Sequence, residues 1–354
     1  MVWKPKEKEL TLEEAIEQAR RELSPFWLGC APMLAANRGE DGKLSVFPLT
    51  KEFSEVPRVF LFVDPTQPGS EYLLQFGREW GRRYQAHGCG FLAALRTPYS
   101  VASQAPEFQE FARRTSLGFP IVLDRDGLLA DALAGPKLPA VVLLHEGKTV
   151  FVATNWTEPE AIELKLQEYF RRKDPGLPLR PPYRRDATVP SETISLELGL
   201  GRGHAFPAPK FRPGTGGFHA ARFEGEVRAE KLPPGTFQIR GSWLQDGDRI
   251  LTSDPESAIS FHASRANVAI VAQCVSKISG HGRITVELEG RPIFEIFAGS
   301  ALQMEEDGQS RVQVGALQLY PILRALPPES RSVCLRFTGA KEFPLAIHGL
   351  RFWN

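Results

Sequence analysis

The stretch RVFLFV, residues 58–63, constrains the first half of the chain more than any other. Its five successive apolar side chains point alternately to the two faces of a strand, so both faces must be covered by other elements. Next comes the turn Asp64-Pro65-Thr66-Gln67-Pro68-Gly69-Ser70. Tyr72, Phe76, Trp80 and Tyr84 then recur at steps of four, which predicts an amphipathic helix over 70–86. The pattern repeats as strand GFLAAL, a helix over 104–114, strand FPIVLD, a short helix near 128–134 and strand LPAVVLL. A turn at Glu146-Gly147-Lys148, strand TVFVATN and a helix over 157–171 complete it. Upstream, the turn NRGEDG leads into KLSVFPL, and Thr11 with Glu14 makes a capping box for a helix over 11–23. The expectation is an α/β domain whose sheet is mostly parallel and closed by one antiparallel hairpin.

A second texture begins near residue 191. Before it, RRKDPGLPLRPPYRRDATVP is rich in proline and arginine, which predicts an extended, solvated spacer. After it come short alternating runs with no helical period: TFQIRGSW, SAISFHA, NVAIVAQCV, SVCLRF and LAIHGLRFW. ITVELEG and RPIFEIF read as a hairpin about Gly290-Arg291, with Ile284, Val286 and Leu288 on one face. This spacing predicts a β-sandwich rather than a barrel. The expected organisation is a helical extension over 1–28, an α/β domain over 29–171, a linker over 172–190 and an all-β sandwich over 191–354.

Composition narrows the function classes. The 354 residues carry 43 basic and 42 acidic side chains, a net charge of +1, so no global field draws the chain to nucleic acid or anionic lipid. No apolar run is long enough to span a bilayer, and MVWKPKEKEL is not followed by the apolar core of a leader. The expected compartment is the cytoplasm, or the periplasm if a leader has been removed. Four cysteines, Cys30, Cys89, Cys274 and Cys334, are too few and too scattered for a disulfide scaffold, and none forms a C-x-x-C pair.

The first half resembles the peroxiredoxin and thioredoxin-like redoxin family. The resemblance covers roughly residues 29–171, through APMLAANRGEDGKLSVFPL, RVFLFVDP, SQAPEFQEFARRTSLGFPIVLDRDGLLADAL and LPAVVLL in order. It implies a thioredoxin fold and a cis peptide bond at Leu138-Pro139. The sandwich is similar in architecture to the C-terminal module of DipZ-type proteins, of the carbohydrate-binding class.

In that family a cysteine begins the helix after the central strand, where unpaired amides and the helix dipole stabilise a thiolate. Aligned with VDPTQPGSEY, the two cysteine positions of a thioredoxin fall on Thr66 and Gly69, and residues 64–78 contain no cysteine at all. A threonine hydroxyl is un-ionised at neutral pH and forms no disulfide. The turn therefore reads structurally, with Thr66 or Ser70 capping the helix, Pro68 setting its first turn and Gly69 allowing the bend. Its functional reading is a binding groove formed by Thr66, Gln67, Pro68, Gly69 and Ser70 with Pro139.

Displaced thiols offer an enzymatic alternative. Cys89 lies two residues after His87, and Cys30 stands before Ala31-Pro32. Parity places Cys274 in the sandwich core and Cys334 on the opposite, outward side of its strand. The histidines show no metal-ligand spacing beyond His87-x-Cys89, and GLGRGH precedes prolines rather than a helix, so neither a metal nor a phosphate loop is expected. Sugar binding would need outward aromatics; Trp243 shares parity with core residues, which leaves Trp353 and Tyr320. The leading expectation is a redoxin-like interaction or scaffold protein with protein partners and no cofactor. A thiol oxidoreductase using Cys89 or Cys30, and a carbohydrate-binding protein, stand as alternatives.

Overall fold

The computed structural model describes residues 34–38, 44–48, 56–96, 99, 111, 115, 117–124, 128–135, 137–145, 148–154, 156–184, 194–198, 212–213, 219–223, 232, 236–245, 248–276, 280–329 and 331–354. The predicted helix over 11–23, the extension 1–28, Cys30 and the loop 199–204 lie outside the described residues, as does the predicted helix over 104–114 apart from Phe111. The chain divides into two compact units, residues 1–65 with 69–189, and residues 66–68 with 190–354.

The first unit is built on a seven-stranded sheet. Its strands are β1 (Leu34–Arg38), β2 (Leu44–Pro48), β3 (Arg58–Val63), β4 (Gly90–Leu95), β5 (Ile121–Leu123), β6 (Ala140–His145) and β7 (Lys148–Ala153), in spatial order β2-β1-β5-β4-β3-β6-β7. Only β3 with β4 and β4 with β5 run parallel; β1 with β2, β1 with β5, β3 with β6 and β6 with β7 are antiparallel. This corrects the expectation of a mostly parallel sheet. Between β5 and β6 the chain passes through the six-residue helix α2 (Leu128–Leu133), and β6 enters the sheet antiparallel to β3.

The parity of β3 sorts the core. Val59, Leu61 and Val63 join one apolar cluster with Tyr72, Phe76 and Trp80 of α1 (Pro68–Tyr84) and Ile162, Leu166 and Phe170 of α3 (Pro159–Lys173). Phe60 and Phe62 join the opposite cluster with Leu129, Ala130 and Leu133 of α2. Asp124 caps α2, its two carboxylate oxygens accepting the Leu129 and Ala130 amides at 3.1 and 2.8 Å. The strand order, with helices packed on both faces, makes the first unit an α/β thioredoxin-like fold; Leu138-Pro139, just before β6, is cis.

A buried carboxylate binds α1 to α3. Glu163 is 0% exposed and accepts hydrogen bonds from Trp80 Nε1 at 2.9 Å, an Arg83 guanidinium nitrogen at 3.1 Å and Tyr84 Oη at 2.8 Å. It also accepts the Tyr183 amide at 2.7 Å. The segment 174–184, predicted as a solvated spacer, is therefore held to the first unit. Arg83 and Gln167 each donate at 2.7 Å to its carbonyls, at Pro181 and Arg180, and Leu177, Leu179 and Tyr183 pack on the core. It is extended, but it is strapped down.

The second unit is an all-β sandwich. Its described strands are β8 (Ile194–Glu197), β9 (Arg212–Pro213), β10 (His219–Phe223), β11 (Phe237–Gln245), β12 (Ile250–Thr252), β13 (Ala258–Ala263), β14 (Asn267–Cys274), β15 (Gly282–Leu288), β16 (Arg291–Pro292), β17 (Leu302–Met304), β18 (Ser310–Val314), β19 (Gln318–Leu323), β20 (Arg331–Arg336) and β21 (Leu345–Trp353). β11 serves both layers: Phe237–Arg240 pairs with β13, and Gly241–Gln245 pairs with β10. At the switch Gly241 has φ 86°, and a Cβ there would stand 2.6 Å from the Ser257 Cα. Only glycine fits this corner. Phe237, Ile239, Trp243, Ile270, Val286 and Ile347 then meet in one core. The turn after β15 falls on Glu289-Gly290, both at positive φ, one residue earlier than predicted. RPIFEIF does not continue as a strand: Glu295–Phe297 is a 3-10 turn, with Phe294 and Ile296 exposed.

Removing Glu163 leaves four donors without their acceptor. Glu163→Ala is expected to lower the unfolding free energy of the full chain by about 3–5 kcal/mol in urea denaturation, and Glu163→Gln by less. A loss as small as that of an exposed ion pair, under about 1 kcal/mol, would contradict this assignment.

Candidate functional site

The site the family would use lies between β3 and α1. Thr66 and Ser70 are both 0% exposed, while Gln67 is half-buried. The Ser70 hydroxyl accepts the Asp64 amide at 2.9 Å, tying the end of the strand to the first turn of the helix. That bond replaces the capping role the sequence offered to Ser70. Pro68 is the first helical residue, where its missing N–H removes no intrahelical bond.

Gly69 lies under an indole. A Cβ added there would stand 2.7 Å from Trp156 Cζ2 and 2.8 Å from Cη2, inside van der Waals contact. Trp156 follows β7 and packs edge-on against Tyr72 with ring centroids 6.2 Å apart. Any side chain at position 69 therefore displaces it. Pro139, across the Leu138-Pro139 cis bond, is buried. Nothing in the spacing of the sequence pointed to Trp156, because it stands after β7, the edge strand of the sheet, far along the chain from Gly69.

The described thiols are all buried or half-buried. Cys89 is 2% exposed, its Sγ 3.6 Å from the Gly90 carbonyl oxygen, and burial pushes its thiol up to about 12, against a smaller downward pull from Arg58. Cys274 borders the sandwich core and is half-buried rather than enclosed. Cys334 is not outward as parity suggested: it is half-buried opposite Ser260, and burial raises its pKa despite a hydrogen bond with that serine. All three are free. Among the described residues, no group of histidine, cysteine and carboxylate side chains comes together to hold a metal.

The sandwich aromatics divide differently from expectation. Trp243 is 1% exposed, edge-on to Phe337, with Nε1 donating to the Arg240 carbonyl at 2.7 Å. Tyr320, expected outward, is 3% exposed; its hydroxyl accepts the Gly315 amide and donates to the Ala316 carbonyl, both at 2.8 Å. The ring points inward because those two loop groups satisfy its oxygen there. Trp353 is half-buried. Sequence reasoning also missed two ion pairs, Arg83 with Glu163 and Arg351 with Glu197, the latter at 2.9 Å, in each of which one partner is fully buried and the other half-buried. Lone charged residues in apolar runs were the available signal, but not their partners.

No family model matches the chain, and no curated protein does. Solved structures similar to it include a putative thioredoxin from Neisseria meningitidis, 14% identical over 40% of this chain and 91% of that one, with a TM-score of 0.31. Another is the exposed lipoprotein thioredoxin Etrx1 of Streptococcus pneumoniae, 16% identical over 38% and 97%, TM-score 0.31. A family two carbohydrate esterase from Cellvibrio japonicus is 12% identical over 33% of this chain and spans 30% of its own, TM-score 0.26. Among the described residues, no helix is long and apolar enough to cross a membrane.

Two outcomes follow from this geometry. Gly69→Cys is expected to cost about 1–3 kcal/mol through overpacking against Trp156, relieved when combined with Trp156→Ala; an undiminished cost in the double variant would show another cause. For Cys89, the unfolded thiol titrates near 9.0 and the folded one near about 12, so the unfolded chain releases its proton first. Stability is then complete below pH 9.0 and falls as pH rises toward 12. Cys89→Ala is expected to flatten that decline in denaturation curves, and an unchanged slope would contradict the burial of this thiol.

Proposed function

We propose that this chain is a redoxin-like protein whose first domain keeps the fold without the thiol and works by binding, as an interaction or scaffold protein with a protein partner. The observation that supports this most is the turn itself. Thr66 and Gly69 occupy the two cysteine positions, and the second lies beneath Trp156. A peroxiredoxin and a thioredoxin alignment lead to the same conclusion, since both need a thiolate in a segment that has none. Burial of Cys89 counts against a displaced nucleophile. The free thiols suit a reducing compartment such as the cytoplasm. The sandwich then adds a second surface, in the manner of a DipZ-type module.

The test is catalytic. Purified full-length chain is expected to give no peroxide consumption and no dithiothreitol-dependent insulin reduction above a blank, with Cys30→Ser and Cys89→Ser identical to it. Turnover that either substitution abolished would overturn the reading and assign the chemistry to a displaced thiol.

A further inference from the structure

The strapped segment and the end of α1 enclose a cleft of about 490 Å³ on the first unit. One wall is the last turn of α1 with its short continuation, bringing Arg82, Arg83 and His87; the other is Pro178–Arg180. We infer that this cleft binds a small organic carboxylate, with Arg82 and Arg180 taking the anionic group and Leu179 and Pro178 taking an apolar body. Its volume lies in the range of small-molecule pockets, roughly 300–1,000 Å³.

The charges in the cleft are not mutually satisfied. Among the described residues Glu79 is the one carboxylate in the lining, and the Arg83 Nε donates to it at 2.9 Å. Arg83 is committed further to Glu163 and to the Pro181 carbonyl, so it is fixed with its side chain only 16% exposed. Burial lowers its pKa, but Glu79 and Glu163 outweigh that and raise it overall, which keeps the guanidinium charged. Arg82 stands 3.9 Å from Glu79 with its side chain 75% exposed, a weak and screened contact. Arg180 is exposed, and among the described residues its carbonyl is bonded while its guanidinium forms no ion pair.

Arginines in a last helical turn offset the negative end of the helix dipole, which accounts for Arg82 and Arg83. It does not account for Arg180, which arrives on a different segment. That segment is pinned at the Arg180 carbonyl, the Pro181 carbonyl and the Tyr183 amide, so the Arg180 side chain is presented from a fixed backbone and its rotamers alone have to be ordered on binding. The choice of anion follows from the same surroundings. The α1 C-terminal carbonyls and Glu79 disfavour a dianion, and planar guanidinium groups match a planar carboxylate in paired hydrogen bonds. Inorganic phosphate would also leave the apolar wall unused. This inference stands apart from the proposed function, because nothing in it depends on whether the β3–α1 turn is catalytic.

The experiment titrates the full chain with 3-phenylpropionate, 3-phenylpropionamide and inorganic phosphate, followed by calorimetry or amide NMR shifts. The acid is expected to saturate, with the amide and phosphate each about tenfold weaker or more. Arg82→Ala and Arg180→Ala, both surface changes checked for folding by circular dichroism, should each weaken the acid about tenfold, while Lys165→Ala on the exposed side of α3 leaves it unchanged. The inference is overturned by equal binding of acid and amide, by phosphate binding as tightly as the acid, by no saturation up to about 10 mM, or by an Arg180→Ala variant that binds as the parent does.

Discussion

A carboxylate shut away from water at the junction of α1, α3 and the strapped segment orders much of the first unit. An ionised group in such a place is tolerated only when donors surround it. Glu163 finds them on two separate pieces of chain: Trp80, Arg83 and Tyr84 on α1, and the Tyr183 amide on the strap; Gln167, on the same helix as Glu163, donates in turn to Tyr84 Oη at 3.0 Å. Because each donor has a fixed length and direction, the pairing sets the rotation of both helices and the path of residues 177–184. Burial and the Glu163 charge push the Tyr84 phenol well above its usual range, so it remains a donor. Apolar packing brings α1 and α3 onto the sheet, and this network fixes which register they adopt.

Against that rigid frame, the β3–α1 turn has been filled with side chains. A hydroxyl at position 70 ties strand to helix, a proline starts the helix, and an indole covers position 69. Each is a good structural solution for joining a strand to a helix. The same fold is thus compatible with a binding role, since function resides in the site and not in the scaffold.

The second unit solves a different problem. A single strand, β11, has to serve two layers, and the change of layer occurs at a glycine with φ 86°. Inward residues of both layers then close over one core. The exposed Phe294 and Ile296 follow from the same geometry: β16 is only two residues long, and the 3-10 turn after it carries these side chains away from the sheet.

What the sequence determined by itself was periodic and local. The unbroken apolar run of β3, the four-residue step of α1 and the alternation in β11 each reflect a backbone repeat, and each reads directly as a buried face. The absence of a thiol from residues 64–78 was equally plain. Tertiary structure alone decided the direction of β6, the strapping of 174–184, the inward turn of Tyr320, and the placing of Trp156 over Gly69. It also decided the partners of Glu163, one of them 83 residues away at Trp80. Hydrogen bonds and steric fit of this kind depend on distances between segments that no repeat in the chain encodes, so they exist only once the sheet order and the helix positions are set.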